Sequence, residues 1–351
     1  MSQLNLFAEE NRLNYLSQLG DSLEKLRVVD WQMFRAPLQK ALQKEKKGKG
    51  GRPVQYDCVM MFKIIVLQRL FNLSDDQTEF QINDRMTFMR FLGLGLEDKI
   101  PDAKTIWLFK DHLSKSNVME EMFHLFTKQL DEQGMVTHTG TIVDATFVDV
   151  PRQRNTAEEN KAIKAGNIPE EWQEDTSEAK HKLAQKDTDA RWTKKNDETH
   201  YGYKDHAKVD AESKLITDYA VTEASVHDSQ KCTEFLDDKD QVLYADSAYS
   251  GAPIAQALPE NVENKICEKG YRDHPLTEEQ KANNHEKSKI RIRIEHVFGF
   301  MTNSMHGISI RSIGMSRAKM HIGLMNLTYN MFRYAFLVGQ NPPAQKAIAR
   351  G

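Results

Sequence analysis

Residues 138–150 read HTGTIVDATFVDV, and this stretch decides the fold class. It is rich in β-branched residues, and its apolar and polar side chains alternate, which predicts a strand. The chain before it predicts helices, because apolar residues recur three and four positions apart, as at Val59, Phe62 and Val66. Helices followed by strands predict a mixed α+β chain, with an all-helical N-terminal part and a mixed β-sheet flanked by helices.

More strands and helices are predicted after residue 150. Strands are expected at 203–210, 214–224 and 241–246, and the pattern at 263–269 is compatible with a fifth strand. Helices are expected at 228–237 and 251–258. Residues 151–199 are polar and highly charged, so we expect an insertion between the first two strands, with helical pieces such as 177–185. The composition favours a solvent-exposed insertion over a contact site for a partner protein or DNA.

The N-terminal part divides around a basic segment. Residues 44–52 (KEKKGKGGR) carry five basic residues against one acid and include three glycines, which predicts a flexible basic arm. Helical segments are expected at about 54–72, 75–92 and 103–131, with Asp102 and Asn117 in N-cap positions and Gly134 ending the last one. Short helices joined by tight turns occur in helix-turn-helix domains, but periodicity alone favours a plain helical bundle.

Composition excludes several classes of protein. The 351 residues contain 39% hydrophobic residues, enough to bury a large core. No run approaches the roughly 18 apolar residues that span a bilayer, and the N-terminus lacks the pattern of a secretory signal, so a cytoplasmic protein is expected. Cys58, Cys232 and Cys267 form no paired motif and are predicted to be core thiols. The net charge of −3 hides basic segments at 44–52 and 269–293.

Three carboxylates stand out. Asp144 interrupts an apolar strand, where an unpaired charge is costly to bury, and Asp246 ends the short strand VLYAD. An aspartate at a strand end is also a common turn former, so neither is specific alone. Glu295 lies in RIRIEHVFGFM, where alternation favours a strand, but the longer spacing of Ile290, Ile294 and Val297 favours a helix. Arg291 and Glu295 on that helix could be an ordinary surface ion pair.

The sequence words around these residues resemble the DDE transposases of bacterial insertion sequences, specifically the InsH-like group called insertion-sequence family five. The matching words are VDATFVDVPRQRN (143–155), THYGYKDHAKVD (199–210), VTEASVHDSQ (221–230), LYADSAYSG (243–251) and RIRIEHVFGFMTN (291–303). They occur in the family's order. PDAKTIWLFKDHL (101–113) is similar to the family's N-terminal domain, so the resemblance covers most of the chain.

This resemblance implies an N-terminal DNA-binding domain (1–134), an RNase H-like catalytic domain (135–338) and a C-terminal tail (339–351). It implies that Asp144, Asp246 and Glu295 are the catalytic, metal-binding triad. Two Mg2+ or Mn2+ ions per active site are expected, because phosphodiester cleavage uses two ions about 3.5–4 Å apart and Mg2+ prefers carboxylate oxygens. Where related transposases have a tyrosine and a lysine beside the glutamate, this sequence has Ser288 and Thr302.

Auxiliary residues are expected near the triad. Arg291 matches the family's arginine and is a candidate for phosphate contact. His227 and Asp228 follow the third strand, although a helix N-cap explains Asp228 equally well. Lys204, with His206, is expected close to Asp144. His296 points to a different helical face from Glu295, so a structural role is as plausible as a catalytic one.

The resemblance implies double-stranded DNA as the partner, both as terminal inverted repeats and as target. Because two element ends must be brought together, a homodimer on DNA is expected. The protein is expected to be located at the nucleoid. The expected DNA contacts are Lys46, Lys47, Lys49, Arg52, Lys104, Lys289 and Arg293. The expected reaction is strand cleavage followed by strand transfer through direct transesterification. A stand-alone RNase H-like nuclease or junction resolvase and a domesticated, catalytically silent DNA-binding protein remain alternatives; an ordinary metallohydrolase lacks the expected histidine-rich spacings.

Overall fold

The computed structural model describes residues 7–43, 56–151, 155–195 and 197–340. The N-terminal part is helical, as predicted. Its helices are α1 (Ala8–Gln18), α2 (Arg35–Leu42), α3 (Cys58–Leu70), α4 (Asp75–Asp84), α5 (Met86–Leu92), α6 (Ala103–Ser114) and α7 (Val118–Glu132). The predicted basic arm at 44–52 lies outside the described residues.

Helix ends in this part follow from local hydrogen bonds. Asp102 is the N-cap of α6, because its side chain accepts a hydrogen bond from Thr105 N, as predicted. Asn117 occupies the N-cap position of α7, as predicted, but it has a positive φ and its side chain makes no capping hydrogen bond. The segment predicted at 75–92 is two helices, because Arg85 between α4 and α5 takes an extended conformation.

A mixed sheet follows α7. Its strands are β1 (Thr141–Asp149), β2 (Arg191–Lys195), β3 (Glu198–Asp210), β4 (Ile216–Glu223), β5 (Val242–Tyr244) and β6 (Glu263–Asn264). β3 pairs antiparallel with β1, β2 and β4, whereas β1, β5 and β6 are parallel neighbours in that order. The strands are therefore ordered β4-β3-β1-β5-β6, with β2 pairing the N-terminal part of β3.

The stretch between β1 and β3 is only partly separate from the sheet. It contains α8 (Ala157–Lys164) and α9 (Ser177–Ala184), the latter close to its predicted position. However, Arg191–Lys195 forms β2, and β3 begins at Glu198, so the prediction that residues up to 199 stay outside the sheet is wrong at that end. The charged side chains of β2 hid its strand character, because they gave no apolar alternation.

The C-terminal part returns to helices. These are α10 (Ala252–Ala257), α11 (Glu278–Arg291), α12 (Arg293–Asn303) and α13 (Met315–Gln340). Residues 228–237, predicted as a helix, form two short 3-10 turns, Asp228–Gln230 and Cys232–Phe235. All three cysteines are buried and unpaired, as predicted. In the described part of the chain, no helix has the length and apolar character needed to cross a membrane.

Helix α13 joins the helical part to the sheet. Its Asn330 side chain hydrogen-bonds both the N–H and the C=O of Ile216 on β4, at 2.9 and 2.7 Å. Gly323 makes close packing possible, because a Cβ there would lie 2.3 Å from the Tyr219 hydroxyl and 2.8 Å from Met119 Cγ. One hydrophobic cluster consequently extends from the N-terminal helices through α13 to one face of the sheet. A smaller cluster covers the other face.

Candidate active site

Asp144 and Asp246 lie on neighbouring parallel strands. β1 and β5 are in register at Ile142 and Tyr244, and two residues further along each chain come Asp144 and Asp246. Asp144 on β1 and Asp246 just after β5 are therefore neighbours, near enough that the charge of Asp246 acts on Asp144. Asp246 follows β5 and caps the 3-10 turn Ser247–Tyr249, accepting a hydrogen bond from Ala248 N at 2.7 Å. The prediction that these aspartates occupy adjacent strands agrees with this register.

Glu295 lies in the first turn of α12, so its segment is helical, as predicted. A break at Ile292 separates α12 from α11, and Arg291 is the last residue of α11. Arg291 Nη2 lies 3.6 Å from Glu295 Oε1, the predicted i,i+4 contact, and Arg291 Nη1 lies 3.4 Å from Asp144 Oδ2. The guanidinium therefore bridges two of the three predicted carboxylates.

Electrostatics at Asp144 favour a carboxyl that gains a proton easily. Its pKa is raised to about 6, chiefly by burial, and the charge of Asp246 acts in the same direction. A hydrogen bond from Ala145 N, at 2.8 Å, and the positive charges of Arg291 and Lys195 act in the opposite direction. Asp144 and Asp246 are thus close enough to repel each other, which a cation between them would relieve.

The donor chemistry of this site fits a hard divalent cation, because carboxylate oxygens are the ligands that Mg2+ and Mn2+ prefer. Within the described residues, no group of three or more histidine, cysteine, aspartate or glutamate side chains is gathered closely enough to hold a metal ion. Arg291 lies between two of the predicted carboxylates, because its guanidinium contacts both Asp144 and Glu295. The side chain of Glu295 remains 54% exposed.

A largely buried ion-pair cluster joins β2 and β3 to the 3-10 turn that begins at Asp228. Lys204 Nζ contacts Asp228 Oδ1 at 2.7 Å and donates to Val226 O at 2.6 Å. Lys195, from β2, contacts Asp228 Oδ2 at 3.2 Å. Burial acts to raise the pKa of Asp228, but the hydrogen bond from Lys204 and the charge of Lys195 hold it below its usual value. Asp228 is therefore a buried anion between two lysines.

Lys195 lies near the candidate site, and the sequence did not single it out. Its charge lowers the pKa of Asp144, and its ammonium also lies 5.8 Å from the ring centroid of Phe147 on β1. Tyr249 was also missed. It is 1% exposed, its hydroxyl has no hydrogen-bond partner among the described residues, and burial and then Asp144 raise its pKa. The available signal was position: Tyr249 lies inside the matched stretch LYADSAYSG, and Lys195 lies four residues before THYGYKDHAKVD.

The other predicted auxiliary residues lie in different surroundings. Lys204 and His206 are on β3, beside β1, but they pair with Phe147 and Ala145 and cross-strand partners point to one face, so both leave the face opposite to Asp144. Their expected closeness to Asp144 stays a prediction. His227, rather than Asp228, is the N-cap of the following 3-10 turn. His296 Nδ1 lies 3.1 Å from Lys214 Nζ in an exposed contact.

The predicted DNA-contacting residues differ in their surroundings. Lys104 is exposed on α6, and Lys289 is exposed on α11, where it pairs with Glu286 at 2.6 Å. Arg293 donates to Ala211 O at 2.8 Å. The four predicted DNA contacts of the basic arm lie outside the described residues: Lys46, Lys47, Lys49 and Arg52.

Comparison with known proteins identifies two family domains. The family model described as "Transposase DDE domain" matches residues 136–331, more than half of the chain, and a second, "Transposase domain (DUF772)", matches residues 11–112. A solved structure with similarity is the piggyBac transposase synaptic complex with hairpin DNA, at 10% identity and a TM-score of 0.44, covering 92% of this chain and 76% of that chain. The family match over more than half its length shows that the chain belongs to the DDE transposases.

Proposed function

We propose that this transposase belongs to a bacterial insertion sequence of the InsH-like group, insertion-sequence family five. It binds the terminal inverted repeats of its element, cleaves DNA strands at the ends and joins them to target DNA by direct transesterification. The observation that carries the proposal is the side-by-side placement of Asp144 and Asp246 on parallel strands, with Arg291 reaching from Asp144 to Glu295. This is the arrangement that the sequence resemblance implies for a DDE triad.

The catalytic domain, 135–338, is proposed to be RNase H-like. The strand order β4-β3-β1-β5-β6 supports this assignment, because three antiparallel strands continue into two parallel ones. The N-terminal helical region, 1–134, is proposed to bind DNA. Its continuous packing with α13 would connect DNA recognition to the catalytic sheet.

Asp144, Asp246 and Glu295 would hold two Mg2+ or Mn2+ ions. When bound, such ions activate the attacking oxygen and stabilise charge on the leaving oxygen of a phosphodiester. The residues around them have complementary tasks. The Asp228 pair with Lys195 and Lys204 fixes β2 and β3 beside the site, and the burial of Asp144 keeps water from screening its charge.

Arg291 has two proposed roles. Its guanidinium contacts Asp144 and Glu295 and would neutralise these carboxylates. It would also donate to a phosphate oxygen of the substrate, a geometry to which its planar fork is suited. The same residue would thus balance the charge of the carboxylates and contact the DNA.

DNA contacts are proposed for the basic arm, with Lys46, Lys47, Lys49 and Arg52, and for Lys104, Lys289 and Arg293. The first group would contact phosphates without reading sequence. Because two element ends must be joined in one reaction, a homodimer on DNA is proposed, located at the nucleoid.

The experiment incubates the protein with Mg2+ and a labelled duplex that carries the element's end, and resolves cleaved and joined strands. The proposal expects both products. Cleavage without joining would indicate a stand-alone nuclease, and DNA binding without either product would indicate a domesticated, silent protein. Alanine at the four arm residues should weaken binding to all sequences and flatten its salt dependence. Unchanged affinity and slope would dismiss the arm.

A further inference from the structure

A cavity of about 510 Å3 lies between α3, α6, α9, α13 and residues 309–313. None of Asp144, Asp246 and Glu295 lines it. Its size is within the range of small-molecule sites in proteins. The side chains that matter for its chemistry are basic and aromatic: Arg69, Lys110, Arg311, Arg317 and Trp107.

Two of the four cations in the cavity are already neutralised. Lys110 lies 2.6 Å from Asp75, and Arg317 lies 2.8 Å from Asp111. Asp111 also contacts Lys115 at 2.5 Å. These two aspartates are the acidic residues among the lining side chains. His321 contributes no charge near neutral pH, since burial and then the nearby cations lower its pKa to about 3.

Arg69 and Arg311 keep their charges. Arg69 is 7% exposed and donates to Gly307 O and Ser309 O, while Arg311 donates to Asn72 O at 3.3 and 3.4 Å. Neither guanidinium forms an ion pair with a carboxylate of the described residues. The two are also near enough that the charge of Arg311 lowers the pKa of Arg69, whose burial is the larger cause.

Buried donors in this cavity lack acceptors. Arg69 Nε and Ser312 Oγ are both buried without a hydrogen-bond partner in the described part of the protein. Buried unpaired donors are rare in proteins because each costs desolvation energy, and a ligand that accepts hydrogen bonds removes that cost. Two unneutralised guanidiniums with two unused donors are suited to an anion with several acceptor oxygens.

We propose that this cavity binds a phosphate group, with Arg69, Arg311 and Ser312 as its donors. Trp107 lines the same cavity and is 46% exposed, so its ring is available to a sugar or base attached to the phosphate. The phosphate belongs either to bound DNA or to free phosphate in solution, which present the same oxygens. Only the DNA source depends on the proposed function.

The first experiment measures thermal unfolding of the full chain in inorganic phosphate against potassium chloride of equal ionic strength. Phosphate at tenfold excess over its Kd should raise the Tm of the wild type by about 2 °C. Arg311 is exposed, and Arg311→Gln should abolish that rise in Tm, whereas Arg311→Lys should retain part of it. The control is Arg27→Gln, on a 3-10 turn near the N-terminus, which should retain the whole rise. An equal rise in Arg311→Gln would overturn the proposal.

The second experiment measures affinity for an element-end duplex across salt concentrations without divalent metal. If DNA supplies the phosphate, Arg311→Gln should lower the slope of log affinity against log salt by about one, whereas Arg27→Gln should not. An unchanged slope together with loss of the phosphate effect assigns the site to free phosphate. No phosphate effect in the wild type together with an unchanged slope overturns the proposal. Neither experiment needs strand cleavage. Failure of the phosphate-site proposal is therefore distinguishable from failure of the catalytic proposal.

Discussion

Arg291 Nη1 lies 3.4 Å from Asp144 Oδ2, which places a positive charge beside the carboxylate at the centre of the sheet. The other end of the same guanidinium reaches Glu295. A single side chain from the end of α11 therefore links β1 to the start of α12. Because one guanidinium makes both contacts, substitution of this residue tests its proposed place in the site.

Replacing Arg291 with glutamine should lower the rate of strand cleavage by about a hundredfold at saturating Mg2+, since loss of one charged donor to a transition-state oxygen has about this effect. Arg291→Lys should recover part of the rate, because lysine keeps the positive charge but lacks the planar, bidentate donor geometry of the guanidinium. Single-turnover cleavage of a labelled element end measures both. Lys281→Gln, in an exposed part of the same helix, is the control. A wild-type rate in Arg291→Gln would remove the arginine from the site.

Metal affinity should depend on pH through Asp144. Its pKa of about 6 means that about nine tenths of this carboxyl is protonated at pH 5, and a proton competes with a cation. We expect Mn2+ to bind about tenfold more weakly at pH 5 than at pH 7, as measured by titration calorimetry. Asp144→Asn should remove the binding. Equal Mn2+ affinity at the two pH values would contradict the assignment of Asp144 as a ligand.

Asp205 gives a prediction for stability. It is fully buried on β3, burial raises its pKa to about 7, and a 3.1 Å hydrogen bond from Asn326 Nδ2 opposes that rise only in part. Since the folded pKa exceeds the unfolded one, the stability from this group is complete below about pH 4 and is lost as pH rises through about 7. Asp205→Asn should therefore be more stable than the wild type at pH 8.5, by up to about 4 kcal/mol, with a much smaller difference at pH 5.

Urea denaturation at these two pH values measures the free energy of unfolding of each protein. The internal comparison is the difference between the proteins at pH 5, where the folded forms of both carry a neutral side chain at this position. A difference that does not grow between pH 5 and pH 8.5 would show that Asp205 is not neutral in the folded protein.

Lys195 tests whether the segment between β1 and β3 takes part in the reaction. Lys195→Met removes a charge that contacts Asp228 and acts on Asp144, so cleavage should fall by about tenfold. Stability should change by less than about 1 kcal/mol, because the lysine side chain is 44% exposed. Lys194→Met is the matched control, since the adjacent side chain points to the other face and pairs with Asp197. Equal cleavage by both variants would exclude Lys195 from the site.

Sequence was sufficient where one local pattern determined a structure. The apolar, β-branched runs around Asp144 and before Asp246 predicted β1 and β5, and the spacing around Glu295 predicted a helix. Asp102 could be recognised as an N-cap, because its partner is only three residues away. The contact of Arg291 with Glu295 was visible for the same reason.

Sequence was insufficient where long-range contacts decided. The contact between Arg291 and Asp144 joins residues 147 positions apart, and no spacing reveals it. β2 is stabilised by pairing with β3, although its side chains are mostly charged. The directions of Lys204 and His206 depend on the register between β1 and β3. Arg69 and Arg311 meet only because the loop after α12 packs against α3.

The central claim is that Asp144, Asp246 and Glu295 act together on DNA strands. Its most direct test is Mg2+-dependent cleavage and joining of a labelled element end by Asp144→Asn, Asp246→Asn and Glu295→Gln. Asp149→Asn, an exposed acid on the same strand as Asp144, is the control. We predict that each triad variant loses both products, that DNA affinity without metal is retained, and that Asp149→Asn reacts like the wild type. Full cleavage and joining by any one of the three variants would contradict the claim.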